Sequence, residues 1–568
     1  MFGWTGRTII VDLTSHSITE SRTGAKQARE YLGGRGFGIK LMQELAYPTV
    51  DPLSPENLLV FAAGPLTGTT VPMSGHYSLI TKSPLTHTIF DSNAGGYFGK
   101  GMKSAGIDAL VISGRSEIPV YLSIYDEDVD IIAADHLWGK DTRETTSILK
   151  EKGSVACIGR AGENKVRFAN FVNDNLYFSG RGGHGAVAGS KNLKAVVVKG
   201  TNDPLIAEPE NLEKAVFNAQ RLLHSNPVTS KGLSVYGTSV MVNVLDHLDI
   251  LPAMNFREKK FQNARSISAE KLSQTYESTK TPCDACPLGC RRVLENGLPL
   301  PDFDALWAFG PAVGNSDLES IVKANDLCYL DGVDPISCGA TIASYLEISG
   351  EGIDPGMLLQ TVSDISGGSS LLGDGSLSFM RSHGEKDLSM SSKGLEMSGY
   401  DPRGILGLAL AYATSNKGAC HQSAFMIGPE VLGKPVILDR LVLKSKPSFV
   451  KLYQEFAAVL DSAVMCPFAS FALGESDVAA LLSAVTGISY SSQDLLKMGE
   501  RIWNLERLFN LRAGFSCEDD TLPQRMFSSD GIPEAEFKKA IADYYQLRGW
   551  DEFGVPHVDK LKQLGIIL

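Results

Sequence analysis

The sequence predicts an α+β protein whose residues 1–205 are β-rich and whose remainder is mainly helical. Short β-branched or apolar runs at 9–13, 57–62, 109–113, 120–125 and 195–198 are each bounded by Gly, Asp, Pro or Ser, the pattern of strands closed by turns. Between Asn202 and Glu210 the composition shifts and two prolines appear, which marks a boundary. Beyond it the apolar spacing becomes helical. Ser316 with Glu319 forms a capping box ahead of Leu318, Ile321, Val322 and Cys328, and Gly332 supplies the stop. Pro447 and Ser448 open a segment whose Phe449, Leu452, Tyr453, Phe456, Val459 and Leu460 fall on one helical face, delivering the chain to Asp461 and Cys466. A Gly/Ser-rich stretch over 363–392 reads as loops or an exposed insertion.

The β-rich part concentrates glycine at three places: Gly33, Gly34, Gly36 and Gly38; Gly95, Gly96, Gly99 and Gly101; and Gly180, Gly182, Gly183, Gly185 and Gly189. Any one of these reads as a tight turn. Three together point to main chain lying against a bulky cofactor, because a residue without Cβ lets a ligand approach the backbone closely.

A chain of 568 residues exceeds one ordinary core, and we expect three domains. With 43% hydrophobic and 21% charged residues it has average globular usage, which argues against wholesale disorder. A formal net charge of -12 argues against nucleic acid or an anionic membrane as general partner and leaves small molecules and proteins. The opening MFGWTGRTIIVDLT has no basic start, long apolar stretch or cleavage site, and no run approaches the roughly 20 apolar residues of a membrane span. The expected location is the cytoplasm.

Nine cysteines are too few for a disulfide scaffold at this length, and three of them crowd into TPCDACPLGCRR. Cys283, Cys286 and Cys290 form CxxCxxxC, with Pro287 and Gly289 turning the chain so that three soft thiolates face one point. The spacing suits three corners of a cubane iron–sulfur cluster. A zinc knuckle is the alternative, although no second CxxC or HxxxH arm follows. The remaining ligand comes from Cys157, Cys328, Cys338, Cys420, Cys466 or Cys517; isolated cysteines default to small buried hydrophobes, and composition does not choose among them.

Ordered motifs run along almost the whole chain: GRTIIVDLT, YLGGRGFGIKLM, GPLTGTTVPMSGHYSLITKSPLTHTIFDSNAGGYFG, RGGHGAVAGSKNLKAVVVKG, CDACPLGC, KGLEMSGYDPRG, LAYATSNKGACH, DSAVMC and FNLRAGFSCEDDTLPQR. In this order they resemble the aldehyde ferredoxin oxidoreductases and their tungsten or molybdenum relatives. The resemblance implies a β-rich domain forming a base for the cofactor (1–205), a helical domain carrying CxxCxxxC (206–405) and a helical domain carrying the fourth cysteine (406–568). It implies a 4Fe-4S cluster held by Cys283, Cys286, Cys290 and Cys466, and a tungsten or molybdenum bis-molybdopterin bound through dithiolene sulfurs, with magnesium bridging the pterin phosphates. Pterin contacts carry over onto His76, Asn93, Ala94, Gly95, Arg181, Gly182, Gly185, Asp334, Asp461 and Met465. Amide and carboxylate groups suit a pterin edge, and Arg181 suits a phosphate.

By the same resemblance an aldehyde and a carboxylate interconvert, electrons leave through the cluster to ferredoxin or an electron-transfer subunit, and the chain assembles as a homodimer. His421 matches an active-site histidine, and the proton acceptor falls on Asp302 or Asp304 where the family carries glutamate. Other departures are His76 in place of an arginine, Tyr329 in place of a pterin aspartate, and Ser423 in place of a lysine. They keep two alternatives open: a relative acting on another substrate, such as an aromatic acyl-CoA or a 2-hydroxycarboxylate, and a metal-stabilised binding protein without turnover. Arg291 and Arg292 are the expected basic groups for an acidic redox partner.

Overall fold

The computed structural model describes residues 1–566. Strands β1 (Arg7–Asp12), β2 (Ser17–Arg22), β3 (Leu59–Ala62), β4 (Tyr77–Lys82), β5 (Ile89–Ala94) and β6 (Ala109–Ser113) form one sheet in the order β2-β1-β6-β3-β4-β5. A second sheet, β11-β10-β9-β12-β7-β8, is built from β7 (Val120–Tyr125), β8 (Asp128–Ala133), β9 (Ser154–Ile158), β10 (Phe171–Asn173), β11 (Tyr177–Ser179) and β12 (Leu193–Lys199). Only β1 with β6 and β7 with β12 run parallel.

Side chains alternate across each strand, and that alternation layers the molecule. Ile9, Val11, Leu59, Phe61, Tyr77, Leu79, Leu110 and Ile112 of the first sheet share one core with Leu122, Ile124, Ile158, Phe171, Val196 and Val198 of the second. The two sheets therefore pack face to face. The opposite face of the first sheet, with Val60, Ala62, Ile80, Ala109 and Val111, belongs to the core of the helical remainder. Burial on both faces makes this sheet the base on which the helices sit, and the architecture is α+β as the sequence predicts.

All five predicted strand segments are strands, namely β1, β3, β6, β7 and β12. Helical expectations need three corrections. The 318–331 helix is capped by Asp317, whose side chain accepts from Ser320 N, and not by Ser316; Gly332 does end it in the left-handed region at φ 68. The 363–392 stretch is no exposed insertion: it completes one helix (Pro355–Ser366), forms another (Ser376–Ser382) and buries Leu372, Phe379 and Met380. The Lys446–Ala463 helix exists, but it also buries its polar flank, where Gln454 accepts from Tyr544 Oη at 2.6 Å and Glu455 from Arg548 at 2.8 Å. Its Phe449, Leu452 and Tyr453 are only half-buried.

Several of the clustered glycines lie inside helices (Gly34–Leu45, Phe98–Ser104, His184–Ser190) and not in open loops. Gly34 shows why: at φ 40 it opens its helix directly against the Asp461 carbonyl, where a Cβ would overlap that oxygen. No helix among the described residues is long and apolar enough to cross a membrane.

Candidate active site

The site forms where the β4–β5 end of the first sheet meets the cysteine loop. In the β4–β5 register Tyr77 faces Ala94 and Ser78 faces Asn93, so His76 and Gly95 are the next pair out. The Ser78 hydroxyl lies 2.5 Å from Asn93 Oδ1 and 3.1 Å from the Asp461 carbonyl, tying this corner to the Lys446–Ala463 helix. Asp284 N donates to the Gly96 carbonyl at 3.2 Å, docking the cysteine loop onto the strand end. Met73 joins the two cysteine segments: its N–H donates to the Ala285 carbonyl at 3.0 Å, and its own carbonyl accepts from Cys466 N at 2.9 Å. The helix before Cys466 ends with Val464 in the left-handed region at φ 58, which turns the chain toward Met73.

As a result Cys283, Cys286, Cys290 and Cys466 line one cavity of about 390 Å³ together with His76, Asn93, Ala94 and Gly95. Burial pushes the Cys283 thiol up to about 12, and the other cysteines add to the shift. Cys466 is raised well above a free thiol by burial and then by Cys290, Cys286 and Cys283, so all four sulfurs sense one another. Among the described residues no three His, Cys, Asp or Glu side chains converge closely enough to hold one ion. The four thiols line the same cavity. Cys420 instead packs with Phe90 and Leu395, Cys157, Cys328 and Cys338 are fully buried elsewhere, and Cys517 opens a short helical turn. Gly95 is the one residue of the three glycine clusters on the cavity wall; a Cβ there would sit 2.5 Å from Cys283 Sγ and 3.2 Å from His76 Nε2.

Across the cavity stand Asp302, Asp304, Tyr400 and His421. Asp302 caps the Phe303–Phe309 helix by accepting from Ala305 N at 3.2 Å, and it pairs with Arg291 at 2.6 Å. Asp304, two residues on, points its Oδ2 at His421 Nε2 across 4.0 Å, while its Oδ1 is buried without a partner. Burial first, then the Asp302 charge, raises the Asp304 carboxyl to about 8. His421 is lowered to about 3 by burial, with Arg181 and Lys417 adding to the shift. The imidazole is therefore neutral, and the pair is not an ion pair despite its spacing. A chain links Tyr412 Oη to Ser398 Oγ at 3.1 Å and Ser398 Oγ to His421 Nδ1 at 2.9 Å; when each hydroxyl donates onward, the imidazole proton sits on Nε2, facing Asp304. Phe303, Phe425, Phe468 and Phe471 complete an apolar wall.

The other motif residues lie behind this wall. Arg181 is buried, with Nε 3.8 Å from Asp334 Oδ2, and donates to the carbonyls of Ala419 and Glu396. Asp334 caps the Pro335–Ser349 helix through Ser337 N. Gly182 and Gly185 pack against Phe90 and the Asn170 carbonyl, and Met465 is fully buried. Asp461 meets Arg35 at 3.0 Å, and Arg35 also holds Glu506 through two nitrogens (2.7 and 2.8 Å) and Asp91 at 3.4 Å. Lys417 adds a second cation to Asp91 at 2.9 Å. Three carboxylates against two cations leave one in excess, and burial with the Asp91 charge raises Asp461 to about 6.

Sequence reasoning missed Arg35, Asp91, Lys417, Glu506 and Met73. The visible signal was a charged residue inside an otherwise apolar, glycine-rich YLGGRGFG, which only a buried partner makes tolerable. Replacing Arg35 with methionine leaves Asp461 and Glu506 without their cation and Asp91 with Lys417 alone, at a cost of about 3–5 kcal/mol. The midpoint of thermal unfolding is therefore expected to drop by several degrees; an unchanged midpoint would contradict the clamp.

A two-layer β base, a helical cover, and four thiols and an acid–base pair on one internal cavity define an oxidoreductase built around a large redox cofactor. Residues 8–200 match the aldehyde ferredoxin oxidoreductase N-terminal domain, and residues 214–566 match domains 2 and 3 of the same family. The chain is 42% identical to the tungsten-containing aldehyde ferredoxin oxidoreductase of Pyrococcus furiosus over 100% of this chain and 99% of that protein. It is 40% identical to that of Thermococcus kodakarensis, again over 100% and 99%. Among solved structures it is similar to the active site complex BamBC of benzoyl coenzyme A reductase in complex with 1,5-dienoyl-CoA, at a TM-score of 0.86 and 25% identity over 100% of this chain and 97% of that one. The chain belongs to the aldehyde ferredoxin oxidoreductase family.

Proposed function

We propose that this protein oxidises an aldehyde to a carboxylate, and runs the reverse reduction, with electrons passing to ferredoxin. The observation that carries the reading is the placement of Asp304 and His421 on the same cavity wall system as Cys283, Cys286, Cys290 and Cys466. Four thiols lining one cavity, three of them from a single CxxCxxxC loop with no second CxxC or HxxxH arm, fit a 4Fe-4S cube better than a zinc knuckle. His76 Nδ1, buried without a partner on the cavity wall, fits a polar pterin group that would engage it. His76, Asn93, Ala94 and Gly95 would hold its edge, and Arg181, Gly182, Gly185, Asp334, Asp461 and Met465 would back it. Within this reading the divisions near 205 and 405 separate the cofactor base from the two cysteine-bearing helical domains.

The bis-pterin tungsten or molybdenum centre, when bound, supplies two-electron oxidation at the carbonyl carbon, and the cluster passes those electrons on singly. Aldehyde plus water yields carboxylate, three protons and two electrons. His421 donates from Nε2 to the aldehyde oxygen and polarises it, and Asp304 accepts a water proton at Oδ2. Asp302 acts through Arg291 and the helix it caps, not on the substrate. The phenylalanine wall excludes bulk water and favours an apolar group on the aldehyde. Anaerobic assay of benzyl viologen reduction over a panel of aldehydes tests the proposal: aldehyde-dependent reduction is expected, and a cluster-replete protein that reduces no dye with any of them would overturn it.

A further inference from the structure

The cysteine loop is carried by a two-stranded hairpin of β13 (Thr279–Thr281) and β14 (Arg291–Val293), whose register sets Lys280 directly opposite Arg292. Like charges facing across such a ribbon are destabilising. Neither is offset by a carboxylate: Lys280 Nζ donates to Ser234 Oγ at 3.0 Å, and Arg292 donates to the carbonyls of Gly289, Arg291, Ser234 and Val235 at 2.6, 3.0, 2.7 and 2.8 Å. Lys231 is exposed one turn before Ser234. On the other flank Lys100, 51% exposed, reaches Asp284 of the loop at 3.2 Å. Tyr97, 46% exposed, directly follows Gly96, on which the loop docks. Pro282 and Pro287 of the loop are exposed between these flanks.

Lys100 and Asp284 offset each other, which leaves Lys231, Lys280 and Arg292 as the cations of this surface. Asp174 accepts from Tyr97 N, Ser154 Oγ and Val155 N. Glu277 and Glu295 lie past the Thr279–Val293 pair, at the hairpin end away from the cysteines. Arg291, expected to face a partner, is instead bound inside by Asp302 and donates to Tyr329 Oη at 3.4 Å. On a chain of net charge -12, Lys280 and Arg292 beside the thiolate loop are bound only by hydroxyl and carbonyl groups.

We propose that Lys231, Lys280 and Arg292, with Tyr97 as aromatic anchor, form the docking surface for an acidic one-electron carrier protein. The proposal rests on the oxidoreductase reading above and adds where the carrier sits. Positive charge steers an acidic partner and sets its register over the exposed loop, which shortens the path from the four sulfurs to the carrier. A one-electron carrier docked here would take the two electrons of each aldehyde oxidised in two encounters, so two carriers would be reduced per aldehyde.

The test compares holoenzyme with its Lys280→Glu, Lys231→Glu and doubly substituted forms, using a purified acidic ferredoxin and benzyl viologen as alternative acceptors. The double variant is expected to raise the KM for ferredoxin by about tenfold or more and to flatten its dependence on ionic strength. Viologen-linked rate, iron content and the EPR spectrum of the cluster should match wild type. An unchanged ferredoxin KM overturns the proposal. So does equal loss with both acceptors alongside an altered cluster spectrum, because the cations would then serve the cluster and not the partner. Ferredoxin binding by surface plasmon resonance at low and high salt separates this from the functional reading: salt-sensitive binding that the charge reversals weaken sustains the docking surface even if wild type reduced no dye, and binding indifferent to them overturns it.

Discussion

Replacing Cys466 with alanine is expected to abolish the iron–sulfur signal and reduce aldehyde-dependent dye reduction to background. Cys466 is the one cysteine distant in sequence whose sulfur shares the cavity with Cys283, Cys286 and Cys290, and its backbone is held to theirs through Met73. Burial pushes the Cys283 thiol up to about 12 and raises those of Cys290 and Cys466. Such thiolates persist only with cationic metal beside them. Three remaining ligands leave one iron of a cube open to solvent and oxidation. Iron analysis and EPR on the anaerobically purified variant decide the matter, and Cys420→Ala is the control, since that residue packs between Phe90 and Leu395. Wild-type iron content and spectrum in Cys466→Ala would remove it from the ligand set.

The second large effect is expected for Asp304→Asn, which should lower kcat about 10²- to 10⁴-fold, the usual worth of a positioned general base. The pH dependence distinguishes this from a loss of structure. With its carboxyl raised to about 8, Asp304 is protonated and unable to accept a proton at neutral pH, and becomes competent as pH climbs through that value. The wild-type rate should therefore rise roughly tenfold per pH unit below about 8 and level off above it. His421, lowered to about 3, stays neutral throughout and contributes no limb of its own. Asp304→Asn should be nearly flat over the same range, whereas Asp302→Asn should keep the rise, moved to lower pH by loss of the Asp302 charge, and lose stability through Arg291 and the helix cap. A persisting rise in Asp304→Asn would assign the base elsewhere.

Legibility in the sequence followed how local the physics was. Strands such as 109–113 and 120–125 announce themselves by β-branched runs between turn residues, and CxxCxxxC by ligand spacing within one loop. β4 (YSLITK) and β5 (IFDSNA) were invisible because they are buried on both faces while carrying Ser, Thr, Asp and Asn that only distant partners satisfy. The same holds for Arg35, whose carboxylates lie hundreds of residues away, and for Met73, which acts through its backbone. Asp302 and Asp304 are chemically equal in sequence; only the fold gives one a helix terminus and Arg291, and the other an open path to His421. The 318–331 cap shifted by one residue because Asp317 satisfies the same orphan N–H groups as Ser316 would have.

The central claim is that four thiols from two distant segments enclose an iron–sulfur cluster beside a tungsten or molybdenum cofactor. The most direct measurement is metal and acid-labile sulfide analysis of the chain purified without oxygen. The account predicts about four iron and four sulfide per chain, accompanied by tungsten or molybdenum. Stoichiometric zinc with negligible iron and sulfide would contradict it.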